Sequence, residues 1–398
     1  MLRFFSLVLI LIVGFVFLPS VSFAKGHSKN SKQFLSFKPF HGGVFDGVYH
    51  NGNAIVLNPL KLKRGQDTSG KYDSGSYYYG TWTSPAVPAK FLEAIASWQA
   101  NTSENTWIEV ELRGSHKKGW SKWYSMGVWH EHDLPFRRHS VRNQGDEHGT
   151  VAVDTLVLKK PATVIQARVT LFTKNPQYTP FFRSLGVSLA EGSDRPGRIP
   201  STGLTSELDV PMRSQMIYPD GGEIWCSPTS TSMVMAYWAK MKHEPQWNQS
   251  VPHVVEKVWD HVYGGGGNWA FNTAYAAAMG LEARVTRFAS LAEAEQWTAA
   301  GVPVIASIAY DEGELPGTPI PSSGGHLLVI RGFDENGDVL TNDPAGPSNE
   351  EVRITYPRHA FESVFLNHSN GTVYLIYPKG WPIPQAMEIG NSSSILKQ

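Results

Sequence analysis

The sequence of 398 residues contains a single cysteine, Cys226. One cysteine cannot form a disulfide within the chain, so a disulfide-stabilised secreted fold is excluded. The formal net charge is zero, with 35 basic and 35 acidic residues, which gives no electrostatic reason to expect binding to nucleic acid or to an anionic membrane. The sequence also lacks internal repeats, and beyond its N-terminal segment it lacks any apolar run long enough to span a bilayer.

The N-terminal segment predicts a secretory signal that is cleaved. Arg3 supplies a positive charge, residues 4–18 are almost entirely apolar, and Ser22 and Ala24 are small residues before a cut at Lys25. A retained membrane anchor is the alternative, but the apolar run is shorter than the roughly 20 residues of a spanning helix. We therefore expect a signal peptide over residues 1–24 and a protein that is secreted or associated with the cell wall, without a membrane segment.

Residues 34–191 have the pattern of antiparallel β-structure. Apolar and polar side chains alternate along residues 106–112 and 164–172, and clusters of Gly, Asn, Asp and Pro separate such segments. Repeated short strands of this kind predict an all-β sandwich of jelly-roll type. Aromatic residues make up 12% of the chain, and they either fill the core of this sandwich or form a surface that binds sugars. Residues 192–205 have no periodicity and are expected to be a linker.

Residues 206–380 have a different pattern, with helices first and strands later. Helices are predicted over residues 227–241, 252–262, 271–279 and 291–300, and strands over 302–310, 326–333, 339–342, 353–356 and 372–377. This order predicts an α+β domain. Ser227 is expected to cap the first helix, with Pro228 in its first turn. The polar tail over residues 381–398 is expected to be disordered.

Cys226 lies immediately before the first of these helices. A thiol becomes a nucleophile when a nearby imidazole accepts its proton, or when a helix N-terminus stabilises the thiolate. Among the 14 histidines, His326 is the best candidate for the base. It opens a predicted strand directly after Gly324 and Gly325, which would let a substrate approach closely. An inert buried cysteine is the alternative explanation for Cys226.

Two further positions complete a candidate site for acyl transfer. The hairpin after His326 is expected to bring Asp343 back beside the same strand, where it would orient the imidazole, with Asn342 as its substitute. Gln215 precedes Cys226 by 11 residues, and its side-chain amide would hold an oxyanion together with the Cys226 backbone amide. Each residue alone has a structural explanation, but the order Gln, Cys, His, Asp favours catalysis. This chemistry requires no metal and no organic cofactor.

The glycine run from Gly264 to Gly267 does not predict a phosphate site, because no lysine follows it at the required position. We expect it to form a loop near the cleft, with a lid as one interpretation.

Residues from about 206 to 378 resemble the peptidase C39-like domains, which are relatives of papain. The matching features are Val210-Pro211 with Gln215, the helix that starts at Cys226, the strand at Gly325-His326, and Asn342-Asp343-Pro344. The resemblance implies that Cys226 is the nucleophile, His326 the general base and acid, Asp343 the orienting residue and Gln215 the oxyanion donor. Members of the family commonly have glycine directly after the cysteine, whereas this chain has Ser227.

The N-terminal half is similar to the β-sandwich that accompanies exported peptidases of this kind, at residues 77–85, 96–100 and 120–129. The resemblance implies an exported cysteine peptidase that hydrolyses peptide or protein substrates. Two alternatives stay open. The same site could act as an amidase or transpeptidase on cell-wall peptides, or an inactive protein could bind a surface polymer through its sandwich.

Overall fold

The computed structural model describes residues 32–40, 42–72, 75–116, 119–132, 137–192 and 200–384. The predicted signal over residues 1–24, half of the predicted linker (residues 193–199) and the tail after residue 384 lie outside the described residues. In the part of the chain that is described, no helix is both long and apolar enough to cross a lipid bilayer.

The first half forms one continuous antiparallel β-structure that curls almost into a barrel. Its strands are β1 (Lys32–Ser36), β2 (Val44–Asp46), β3 (Val48–His50), β4 (Ile55–Leu57), β5 (Lys63–Asp67), β6 (Gly75–Thr83), β7 (Val87–Asn101), β8 (Thr106–His116), β9 (Gly119–Trp120), β10 (Tyr124–Trp129), β11 (Gly149–Ala152), β12 (Thr155–Thr173) and β13 (Phe181–Ala190). The predicted all-β N-terminal half is confirmed.

Strand β12 joins the layers of this structure, because it changes partners along its length. Its first residues pair with β11 and β7, whereas residues 168–173 pair with β8 and β6. The alternating patterns of residues 106–112 and 164–172 each predicted one apolar face, and the side chains of these two faces lie opposite each other on the paired strands β8 and β12. These pairs are Ile108 with Leu171, Val110 with Val169 and Leu112 with Ala167, all fully buried.

The second half is an α+β domain, as predicted. Its helices are α1 (Cys226–Lys242), α2 (Val251–Val258), α3 (Trp269–Ala278), α4 (Leu291–Ala299) and α5 (Arg358–Ser369), with 3-10 turns at Gly222–Ile224 and Pro245–Trp247. Its strands are β14 (Ser206–Glu207), β15 (Leu281–Arg287), β16 (Val304–Tyr310), β17 (Ser323–Phe333), β18 (Val339–Asn342), β19 (Arg353–Tyr356) and β20 (Thr372–Pro378). The sheet order is β15-β20-β16-β17-β18-β19, with β14 beside β17.

The central helix α1 is buried from Ser227 to Ala239, and it packs against β17. Helix α2 ends at Val258 instead of the expected residue 262, because Trp259 leaves the helical conformation and a loop follows. Strand β15 and helix α5 were not predicted. The two halves share one apolar core, in which α3 packs against β7.

Candidate active site

Cys226 is the first residue of α1, and its side chain is partly exposed. The first intrahelical bond runs from the Thr229 amide to the Trp225 carbonyl at 2.9 Å. Amides of the first turn have no carbonyl partner within their own helix, and the positive end of the helix dipole lies there. The thiol therefore lies where a helix N-terminus favours negative charge.

The expectation that Ser227 caps α1 was wrong. The helix starts one residue earlier than predicted, so Trp225 occupies the N-cap position and forms no side-chain cap bond. Ser227 thus lies inside the first turn, where its hydroxyl is hydrogen-bonded to the Tyr374 hydroxyl at 2.9 Å. Pro228 is in the first turn, as expected, where its missing N–H costs no helical hydrogen bond.

His326 lies near the start of β17 with only 2% of its surface exposed. Its Nε2 donates to Asp343 Oδ1 at 2.7 Å, and the ring also interacts with the Cys226 side chain. Because Nε2 is engaged by the carboxylate, Nδ1 is the nitrogen left to face the sulfur. Burial by itself lowers the pKa of His326, but Asp343 and, to a smaller extent, Cys226 raise it to about 10. The imidazole is thus held in its protonated form at neutral pH.

Asp343 is fully buried and accepts three hydrogen bonds. Besides His326, its donors are the Tyr356 hydroxyl at 2.7 Å and the Ala345 amide at 2.9 Å. Burial raises the pKa of this carboxyl, but the charge of His326 and the three donors more than offset it, so the net pKa lies below the usual value. Asn342, the expected substitute, instead donates to the carbonyls of Val210 and Pro211.

Gln215 is buried beside the turn that leads into α1. Its Nε2 donates to the Gly222 carbonyl at 2.9 Å, and its backbone amide donates to the Pro344 carbonyl at 2.8 Å. A side chain at Gly222 would place its Cβ 2.1 Å from the Gln215 carbonyl oxygen, so this close approach requires glycine. A primary amide has two N–H groups, and the bond to Gly222 uses one of them.

Hydrogen bonds also hold the chain segments that carry these side chains. The Ser230 hydroxyl of α1 donates to the Leu327 carbonyl of β17 at 3.0 Å, directly after His326. The bond from Gln215 to Pro344 joins the Gln215 segment to the residue after Asp343. The structure therefore brings all four predicted site residues into one region of the domain.

Sequence reasoning missed three supporting side chains, namely Ser230, Tyr356 and Tyr374. Each is a polar residue in a predicted helix or strand, where it has no distinguishing motif. The one signal that could have identified them is a hydroxyl group among apolar neighbours. A buried hydroxyl requires a hydrogen-bond partner.

Gly324 and Gly325 leave open space before His326. A Cβ added to either glycine would meet no atom within 4 Å, and both residues are exposed. Met216, Ile217 and Ile224, in the segment between Gln215 and Cys226, are exposed apolar side chains, and Tyr263 is also exposed.

The aromatic residues of the N-terminal half are mostly core. Trp82, Trp98, Trp107 and Trp129 are fully buried. The more exposed Trp120 and Trp123 stack with arginine, since the Arg113 guanidinium lies 4.3 Å from one ring centre and 4.4 Å from the other. Arg168 lies 4.5 Å from the Trp123 ring centre. These rings therefore have protein partners of their own.

Comparisons with known proteins agree with the resemblance noted in the sequence. Residues 30–190 match a family model described as the peptidase C39 N-terminal domain, and residues 207–373 match one described as a peptidase C39 like family. Among solved structures, a candidate C39-like peptidase from Bacillus anthracis matches with 20% identity and a TM-score of 0.29, over 43% of this chain and 96% of that one. The curated proteins include no match. The predicted family resemblance is confirmed by the two family models.

Proposed function

We propose that this protein, whose two halves match the N-terminal and the C39-like domains of C39 peptidases, is an exported cysteine peptidase. The observation that carries the proposal is the position of the His326 ring. It is hydrogen-bonded to the buried Asp343, and it interacts with Cys226, which begins a helix. A protonated imidazole and a helix N-terminus both favour the thiolate, which is the nucleophilic form of cysteine.

In the proposed reaction the Cys226 proton resides on His326, and the thiolate attacks the carbonyl carbon of the scissile peptide bond. The oxyanion that forms is held by the Cys226 backbone amide and by the second N–H of Gln215. His326 then gives its proton to the leaving amine as the C–N bond breaks, which leaves a thioester on Cys226. A water molecule, deprotonated by His326, hydrolyses the thioester and returns the thiol.

The surroundings of the pair suit a peptide substrate. The glycines before His326 leave space for an extended backbone, and the exposed apolar side chains of the segment that leads into Cys226 offer contacts to substrate side chains. Ser227 stands where related chains commonly have glycine, but its hydroxyl is satisfied by Tyr374 and leaves the backbone amides of the turn free to act. The export part of the proposal rests on the signal pattern of residues 1–24.

Digestion of casein and of purified peptidoglycan, each followed by mass spectrometry, tests the proposal. We expect the parent protein to cleave casein and a Cys226→Ala variant of unchanged thermal stability to cleave nothing. Equal cleavage by the variant would contradict the mechanism. Products released from peptidoglycan alone would instead favour the amidase or transpeptidase alternative. Because Cys226 is the single cysteine, iodoacetamide treatment of the parent reports on the same thiol.

A further inference from the structure

The N-terminal domain holds one particular loop of the peptidase domain. This segment, residues 259–268, is called the cleft loop below. The Ser140 amide donates to Asp260 Oδ1 at 3.0 Å, and the His261 amide donates to the Arg138 carbonyl at 3.2 Å. The Arg142 guanidinium also donates to the Val262 carbonyl. Three consecutive residues of the loop are thus bonded to the other domain.

Asp260 connects the contact with the N-terminal domain to the rest of the cleft loop. Its carboxylate is fully buried and accepts from the amides of Val262 and Tyr263 at 3.0 and 2.9 Å. Its second oxygen accepts from the Asn268 side chain at 2.9 Å. The segment from the domain contact to the start of α3 is therefore folded around a single carboxylate.

Asp154 fixes the other end of the cleft loop. It lies in the turn between β11 and β12, and its Oδ2 accepts from the Trp269 amide at 2.5 Å, at the first residue of α3. Only 5% of its surface is exposed. The preceding residue, Val153, has a φ of 56°, which is unfavourable for a β-branched side chain. The hairpin adopts this conformation next to Asp154, whose carboxylate in the N-terminal domain accepts a hydrogen bond from helix α3 of the peptidase domain.

The cleft loop borders the thiol. A Cβ added to Gly266 would lie 3.0 Å from Pro228, so the loop backbone packs on the first turn of α1. The Tyr263 side chain is 46% exposed. Burial raises the pKa of the Tyr263 hydroxyl, and Cys226 and Asp154 raise it further, so the phenol lies near both the thiol and this carboxylate of the N-terminal domain.

We propose that the N-terminal domain builds this wall of the substrate cleft, with Asp154 as the positioning residue and Tyr263 as the side chain that contacts substrate. The inference rests on the proposed peptidase function. The bond from Ser230 of α1 to the Leu327 carbonyl of β17 holds the Cys226–His326 pair within the peptidase domain, without a contribution from Asp154. Loss of the Asp154 contact should therefore weaken substrate binding and leave thiol reactivity unchanged.

The test compares Asp154→Ala with Gln99→Ala in the full-length protein. Gln99 donates to Glu282 on β15 and is another hydrogen bond between the domains, remote from the cleft loop. We expect Asp154→Ala to raise KM for a peptide substrate about tenfold, the effect of losing one hydrogen bond, with little change in kcat. Asp154→Asn, which keeps an acceptor, should recover most of this loss. Gln99→Ala should leave KM unchanged, and iodoacetamide should label Cys226 at the parent rate in all three variants.

An Asp154→Ala protein with the parent KM would overturn the inference, as would one in which kcat and labelling fall while KM stays constant. If Asp154→Ala does not fold, Tyr263→Ala tests the same wall at an exposed position, with a raised KM expected and an unchanged KM contradicting the inference. A parent protein that cleaves no substrate contradicts the proposed function instead. In that case amide hydrogen exchange of residues 259–269 decides the inference, since it should be faster in Asp154→Ala than in Gln99→Ala.

Discussion

Replacement of Asp343 by Asn tests how the site keeps its imidazole protonated. Asn is similar in size and retains an acceptor for His326 Nε2, but it removes the charge that lies 2.7 Å away in the parent. Burial then dominates, so the pKa of His326 should fall from about 10 to its ordinary value near 6.5 or lower. At pH 7.5 a histidine with a pKa of about 6.5 is only about one-tenth protonated, so the imidazolium population falls at least about tenfold.

The assay is the rate of iodoacetamide labelling of Cys226 between pH 5 and 10, followed by intact mass. The parent should label well below pH 8, because His326 stays protonated until the pH approaches about 10. Asp343→Asn should label about ten times more slowly at pH 7.5, where its imidazole is mostly neutral, and approach the parent rate only near the ordinary thiol pKa of about 8.5. Asp334→Asn, the same change in the turn of the adjacent hairpin, is the control. Labelling of Asp343→Asn at the parent rate at pH 7.5 would refute the reasoning.

Three other substitutions probe the support of the site. Tyr356→Phe leaves one oxygen of the buried Asp343 without its donor. It should therefore lower the free energy of unfolding in urea by about 1–3 kcal/mol. An unchanged free energy of unfolding would show that the bond is unimportant. Gln215→Ala should lower kcat about 100- to 1000-fold while Cys226 labelling stays at the parent rate, whereas a parent-like kcat would exclude Gln215 as an oxyanion donor. Ser230→Ala should slow labelling and cost about 1 kcal/mol of stability, because it removes the bond from α1 to β17. Its control is Ser232→Ala, since the Ser232 hydroxyl bonds only within its own helix, and equal effects of the two changes would contradict the role of Ser230.

Much of the fold was predictable because the local signals agree with the tertiary structure. Helix α1 was expected over residues 227–241 and spans Cys226–Lys242, since Pro228 marks its start and apolar residues follow from Met233 to Ala239. Helix α5 was missed because only Phe361, Val364 and Phe365 of its 12 residues are buried, which is a weak pattern. Strand β15 was missed because its alternating buried positions, Leu281, Ala283 and Val285, form only a short pattern between two predicted helices.

The candidate site was predictable as far as it depends on local sequence. The glycines before His326 and the hairpin that returns at Asp343 could be read from the chain, and the structure brings these side chains together. The roles of the four residues stay predictions until activity is measured. Tyr356 could not be found in the same way, because its contact with Asp343 arises from the pairing of β19 with β18. The cleft loop was expected near the site, but its attachment to the N-terminal domain depends on contacts between residues more than 100 positions apart.

Mass analysis of the protein quenched during turnover of a peptide ester tests most directly whether Cys226 is the nucleophile. The mechanism predicts an acyl adduct on the peptide that contains Cys226, and it predicts neither adduct nor product with Cys226→Ala. Continued turnover by Cys226→Ala, or turnover by the parent after its thiol has been fully alkylated, would contradict it.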